Sequence, residues 1–156
     1  MVAAIAAGLW WFGMVPLKVE DIYAQGLVEY QKGEYTRAIT TLQGAHRLNS
    51  RDLRVNILLG WSYWNLGEPR NAEPYFRRAH DLDRASDEAK IGLAYASLAL
   101  DKAGEALPLL QEVAPKRPAD KQLHMSLGEA YVKNGQNRKA AEQYRGGRRA
   151  GDAERE

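Results

Sequence analysis

The sequence predicts an all-α fold, a solenoid of stacked helix–turn–helix units behind a short apolar N-terminal helix. Two observations carry that reading. The 156-residue chain superimposes on itself at an offset of 34, which brings Gly26, Gly60, Ala94 and Gly128 into register. Ala38, Ala72, Ala106 and Ala140 also align, as do Leu42, Phe76, Leu110 and Tyr144. Within each unit the apolar residues recur at helical spacing, broken by Gly33, Gly67 and Gly135, with Asp101 at that place in the third. No insertion disturbs the spacing. The chain therefore divides into 1–18, four units at 19–52, 53–86, 87–120 and 121–154, and a polar tail at 155–156.

Composition narrows the function. The formal net charge is only +2, so nothing demands nucleic acid. The last unit is locally basic (Arg138, Lys139, Arg145, Arg148, Arg149), but no aromatics interleave, which suits a solvated helix face rather than a phosphate track. No nucleic-acid partner is expected. The absence of cysteine excludes disulfides, thiol catalysis and Cys-ligated metal, and leaves the redox compartment open.

The first element is MVAAIAAGLWWFGMVPL, which carries no charged side chain before Lys18. As a helix it would reach roughly 25 Å, at the short end for a bilayer core. Ile5 and Leu9 are apolar, and Trp10, Trp11 and Phe12 resemble an interfacial aromatic belt. Ala3, Ala4, Ala7 and Gly8 offer small-residue spacing for close helix contact. A retained single-pass anchor is the first reading. A cleaved signal lacks its basic leader here, and an apolar helix docked on the domain is the third possibility. Pro16 ends the helix or marks its exit.

The units follow, each as two helices. In the second, VNILLGWSYWNLG runs to Gly67, and Pro69 suits the first turn of the next helix. RNAEPYFRRAHDL then places Ala72, Phe76 and Ala79 on one face. A small residue at the eighth place and an alanine at the twentieth let the paired backbones approach, and a large residue at the twenty-fourth fills the gap between units. With Tyr63 at the eleventh place, this unit resembles the tetratricopeptide repeat family almost completely. The fourth unit repeats the pattern with Gly128, Tyr131, Ala140, Tyr144 and Gly147. The third has Leu93, Ala94, Ala106, Leu110, Val113 and Pro118, and the first has Gly26, Ala38, Leu42 and Ala45. The resemblance spans residues 19 to about 150 and implies a right-handed α-solenoid of such repeats. The family's frequent tryptophan at the fourth place is replaced by Ile22, Asn56, Lys90 and His124, and its aromatic at the eleventh by Glu29 and Ser97 in the first and third units. Pro108 and Pro115 predict a short or bent second helix in the third unit. Gly146 and Gly147 are expected to end or fray the polar last helix, which caps the array; the N-terminal end shows no obvious polar cap.

The resemblance also implies where the aromatics point. In this family the first helix of each unit lines a concave surface, through its second, fifth, ninth and twelfth places. That stripe here is Tyr23, Leu27, Tyr30, Ile57, Trp61, Trp64, Ile91, Tyr95, Leu98, Met125 and Val132, with Glu20, Arg54, Glu88, Gln122 and Glu129 supplying most of its polar positions. Tyr63 is expected in the core. An apolar, aromatic groove of this extent points to an interaction site. The Lys/Asn carboxylate clamp of the chaperone-binding members is missing from these positions, so a hydrophobic ligand is expected: an amphipathic helix, an extended apolar peptide or a neighbouring subunit.

Catalytic signatures are lacking. His46 and His80 lie one repeat apart on outer helices, too far to share a metal without further ligands, and His124 stands alone. No phosphate-cradling loop, Gly-x-Ser-x-Gly or His-Glu-x-x-His occurs. The expectation is a non-enzymatic interaction module without metal or cofactor. It would bind protein partners, as accessory subunit or assembly scaffold of a membrane complex, and meet the bilayer through residues 1–17. By analogy the repeat domain would lie on the periplasmic side of a bacterial inner membrane. The alternative is a co-chaperone or assembly factor whose soluble domain exchanges client peptides.

Overall fold

The computed structural model describes the backbone of residues 18–153 and side chains as far as Arg148. Among these residues the regular structure is entirely helical. Eight α-helices follow in order: α1 (Val19–Gln31), α2 (Tyr35–Leu48), α3 (Leu53–Asn65), α4 (Pro69–Leu82), α5 (Asp87–Ala99), α6 (Ala103–Val113), α7 (Lys121–Lys133) and α8 (Asn137–Ala153), with a 3-10 turn at Ala114–Lys116. The expected apolar helix and its anchor residues Ile5, Leu9, Trp10, Trp11 and Phe12 lie outside the described residues. Among those described, no helix is long and apolar enough to cross a membrane.

Local chemistry sets the boundaries. Asp52 Oδ1 accepts from the backbone N–H of Arg54 and Val55 at 3.0 and 3.3 Å and so caps α3. The Ser86 hydroxyl caps α5 through Ala89 N–H at 3.2 Å, and Asp120 caps α7 through Leu123 N–H at 2.9 Å. Gly33, Gly67 and Gly135 turn the chain at φ 77°, 76° and 73°, and Asp101 takes the same left-handed conformation at φ 60°. Pro108 sits inside α6, which has 11 residues against 14 in α2 and α4, and Pro115 opens the 3-10 turn that follows. Gly146 and Gly147 do not end the last helix: α8 continues to Ala153. The reason is packing. Gly147 is buried where a β-carbon would lie 3.3 Å from His124 Cβ and 3.4 Å from the Lys121 carbonyl oxygen, so the small residue brings α8 close to α7.

Consecutive helices pack on one another, and α1, α3, α5 and α7 also touch in succession, whereas the second helices do not touch each other. The first helices therefore line the inner, more tightly curved side. The anticipated small residues make the approach possible: Ala38, Ala72 and Ala106 are fully buried, and Ala140 nearly so. Phe76 is also fully buried and lies against Gly60 of α3 and Gly92 of α5.

The polar replacements at the fourth place are absorbed locally. Buried Asn56 donates to the carbonyls of Ser50 and Asp52 at 3.0 and 2.7 Å. The buried Lys90 ammonium pairs with Glu112, and the His124 ring meets Gln143 Oε1 at 2.9 Å and the Pro118 carbonyl at 3.1 Å. The joints between units alternate in chemistry. Gln43 Nε2 donates to the Tyr63 hydroxyl at 3.0 Å, and Gln111 Nε2 to Tyr131 at 3.1 Å. At the middle joint Ser97 replaces the tyrosine, and Lys102 and Arg77 instead bind Glu73 at 2.8 and 2.6 Å, with Arg77 also on Glu105 at 2.7 Å.

Among the described residues the two end faces carry exposed side chains of mixed character. On α3, α5 and α7 the third, sixth, seventh and tenth places of the unit are buried; on α1 the same places are Asp21, Ala24, Gln25 and Val28, all exposed. On α8 the outward places hold Asn137, Ala141, Arg145 and Arg148, also exposed, where α6 buries Ala103 and Leu107.

Candidate functional site

The inner side carries an open hollow of about 690 Å³ between α1 and α3, reaching the start of α5. The sequence stripe supplies Tyr23, Leu27 and Tyr30 from α1 and Ile57, Trp61 and Trp64 from α3. Both tryptophans are half-buried. Trp61 packs edge-on against Phe76 at 4.9 Å and Tyr95 at 6.2 Å, and its indole N–H donates to Glu88 Oε1 at 3.2 Å. Trp64 is tilted over Tyr95 at 6.0 Å. Burial pushes the Tyr95 hydroxyl up to about 12. Tyr63 is half-buried between neighbouring core clusters and stacks on Tyr75 at 5.5 Å and 11°.

Leu53, Leu58, Arg54, Asn65, Ser86 and Glu88 complete the lining. Leu53, Leu58, Asn65 and Ser86 fall outside the predicted stripe. Ser86 and Leu53 could have been anticipated from the capping Ser and Asp that open α5 and α3; nothing in the sequence singles out Asn65, whose amide donates to the Tyr30 hydroxyl at 3.0 Å. Arg54 lies 5.0 Å over the Tyr23 ring and binds Asp52 Oδ2 at 2.7 Å. Burial raises the Tyr23 and Tyr30 hydroxyls above the ordinary tyrosine value, and the Glu88 charge contributes to both.

The stripe does not stay open along its whole length. Ile91 and Leu98 are only 5% exposed and belong to the core that α5 shares with α6 and α7, so neither lines a groove. Their counterparts on α7, Met125 and Val132, are 40% and 48% exposed. The difference is the next unit: α7 covers one side of α5, and among the described residues no first helix follows α7. A second hollow of about 780 Å³ at this end is lined by Asp120, Lys121, Gln122, Met125, Ser126, Glu129 and Tyr144, and is more polar. The inner side thus has an aromatic half and a polar half.

Outside it, burial holds the His46 imidazole below its ordinary pKa, and the Arg78 charge adds to this. Among the described residues no group of His, Asp or Glu is placed to hold a metal ion.

A curved array of antiparallel helix pairs with an aromatic inner face defines a helical-repeat interaction module. Two tetratricopeptide repeat models match residues 23–87 and 65–126, together two thirds of the chain, and the chain belongs to that family. Among solved structures, MamA is similar at 19% identity with a TM-score of 0.77, over 97% of this chain and 88% of that one. A MamA double mutant, RS-1 ArsTM, is similar at 22% identity and TM-score 0.75, over 85% and 74%. YrrB, described as a tetratricopeptide repeat protein with an unusual peptide-binding site, shares 23% identity at TM-score 0.75, over 85% and 68%. At these identities the likeness shows the fold. No curated protein matches the chain.

Proposed function

We propose that the aromatic half of the inner groove receives an apolar or amphipathic segment of a protein partner, and that the chain works by binding rather than catalysis. The observation that carries the reading is the pair Trp61 and Trp64, half-buried side by side in an open hollow whose other walls are Tyr23, Leu27, Tyr30 and Ile57. Large, rigid aromatics left partly uncovered in a concavity are what dominate binding energy at protein interfaces. YrrB's described peptide-binding site, on the same fold, supports the same use. We further propose that residues 1–17 hold the repeat domain, residues 19–154, at a membrane as accessory subunit or scaffold of a membrane complex, with the domain on the periplasmic side of a bacterial inner membrane. This part rests on the uncharged, aromatic-ended sequence of that segment.

The test is a mild-detergent purification of the tagged full chain from its native membrane, with identification of co-purifying proteins. A Trp64→Ala variant and a chain lacking residues 1–17 run beside it. Loss of a defined partner set with Trp64→Ala supports the groove. Retention by that variant, with loss on removal of residues 1–17, overturns it and assigns the association to the N-terminal segment.

A further inference from the structure

The chemistry of the hollow specifies its occupant further. We infer that the aromatic groove takes a partner segment carrying a lysine or arginine flanked by apolar side chains, with the cation seated between the Glu88 carboxylate and the aromatic side chains of Trp61 and Tyr30. This rests on the groove being a binding site. Four observations carry it.

First, Glu88 is the one acidic side chain lining a largely apolar hollow and makes no ion pair among the described residues. Its one side-chain hydrogen bond comes from the Trp61 indole N–H, which leaves a net negative charge facing the cavity. Second, Tyr23 and Tyr30 of α1 line the same hollow as Glu88 and Trp61, so aromatic side chains are gathered around the one carboxylate. Third, the one cation lining the hollow, Arg54, is neutralised by Asp52 through two side-chain contacts, at 2.7 and 3.3 Å. It nevertheless lies 5.0 Å over the Tyr23 ring, which shows that this wall accommodates a guanidinium on an aromatic face. Fourth, the sign is opposite to that of the molecule: the chain carries +2, while the groove's second places are Glu20, the neutralised Arg54, Glu88 and Gln122. A basic segment is therefore favoured at this end of the groove, where Glu88 carries an unpaired charge.

An apolar segment alone would leave the Glu88 carboxylate facing hydrocarbon, at a desolvation cost. A segment with an acidic residue at that point would add repulsion. A cation offsets both, and its aliphatic stem packs on the indoles.

The test uses isothermal titration calorimetry of the full chain in mild detergent with three acetyl- and amide-capped peptides. Each has a leucine-rich core around one central residue, which is Arg, Gln or Glu. The expected order is Arg tighter than Gln by about tenfold, with Glu weakest. In Glu88→Gln the Arg preference should fall to about twofold or less while the Gln peptide binds as before. Circular dichroism checks that this exposed substitution leaves the fold intact. Equal affinity for the Arg and Gln peptides, with both lost in Trp64→Ala, overturns the cation and keeps the groove. An Arg preference that survives Glu88→Gln overturns the role of Glu88. No binding by any peptide overturns the groove reading itself.

Discussion

Phe76 lies so close to Gly92 that a β-carbon there would stand 2.2 Å from its Cε1 and 2.3 Å from its Cδ1, inside the ring's van der Waals envelope. The same ring atoms leave only 2.6 and 2.7 Å to a β-carbon on Gly60. One side chain thus spaces three helices, α3, α4 and α5, and it has no exposed edge to move toward. Gly92→Ala is expected to destabilise by about 1–3 kcal/mol, because overpacking outweighs the gain in helix propensity. Phe76→Leu in the same chain should recover part of the loss, measured as a shift in the urea midpoint. Gly128→Ala should cost much less, since the ring it meets belongs to half-buried Tyr144 on the last helix, which can turn outward.

The two groove tryptophans should separate in a stability measurement. Trp61 joins Phe76, Tyr95 and Glu88, whereas Trp64 has only the tilted contact with Tyr95 among ring partners. Trp61→Ala is expected to cost about 2–3 kcal/mol, below the range for a fully buried aromatic. Trp64→Ala should cost less than half of that, which makes it the cleaner probe of binding. Equal losses in thermal unfolding would mean that both are structural.

Stability should fall on the acid side for two identifiable reasons. The Arg54 hydrogen bond, with the capped N–H groups of α3, holds Asp52 below its ordinary 3.8. Burial pushes Glu73 up, but the hydrogen bonds from Lys102 and Arg77 outweigh it and hold the carboxylate below 4.5. Both groups bind protons more readily when unfolded. Their contribution is therefore complete above those ordinary values and is lost as pH falls below them toward the folded values. Glu73→Gln should flatten the pH dependence of the unfolding midpoint below about pH 5. Asp52→Ala should cost about 1 kcal/mol at neutral pH through the lost cap.

Asp101 occupies a left-handed turn that glycine occupies in the other three units. Asp101→Gly is expected to raise the thermal midpoint. Relief of the backbone outweighs the loss of the 2.7 Å contact with Lys133, because that pair is open to solvent. A lowered midpoint would show that the pair matters more than the turn.

Lys90→Met should leave stability unchanged or improved, since the buried ammonium gains little beyond what its desolvation costs. Glu112→Gln should destabilise, because it leaves that ammonium buried without a counter-charge. Chemical denaturation of the two variants decides between them.

Much of this architecture was legible because a repeat states its own packing rule several times. Ala38, Ala72 and Ala106 occupy the same buried place, and the aligned Leu42, Phe76 and Leu110 are fully buried beside them. The groove was legible where a residue's surroundings repeat, and less so where they do not. Ile91 and Leu98 follow the same spacing as Met125 and Val132, yet one pair is covered by a neighbouring helix and the other is not. Spacing fixes the direction of a side chain but not what arrives opposite it. The continuation of α8 through Gly146 and Gly147 was missed for a related reason: intrinsic propensity speaks against it, and the close approach to Lys121 and His124 that favours it is tertiary.

The exposed Asp21, Gln25 and Arg148 have a meaning beyond solubility. A stack of like units is a growing chain, and any unit whose outer face matches its inner one will accept another. At the described end faces those places mix charge with small apolar side chains: Asp21 and Gln25 stand beside Ala24 and Val28, and Arg145 and Arg148 beside Ala141. A charge at each of these faces raises the cost of sealing one copy onto another there.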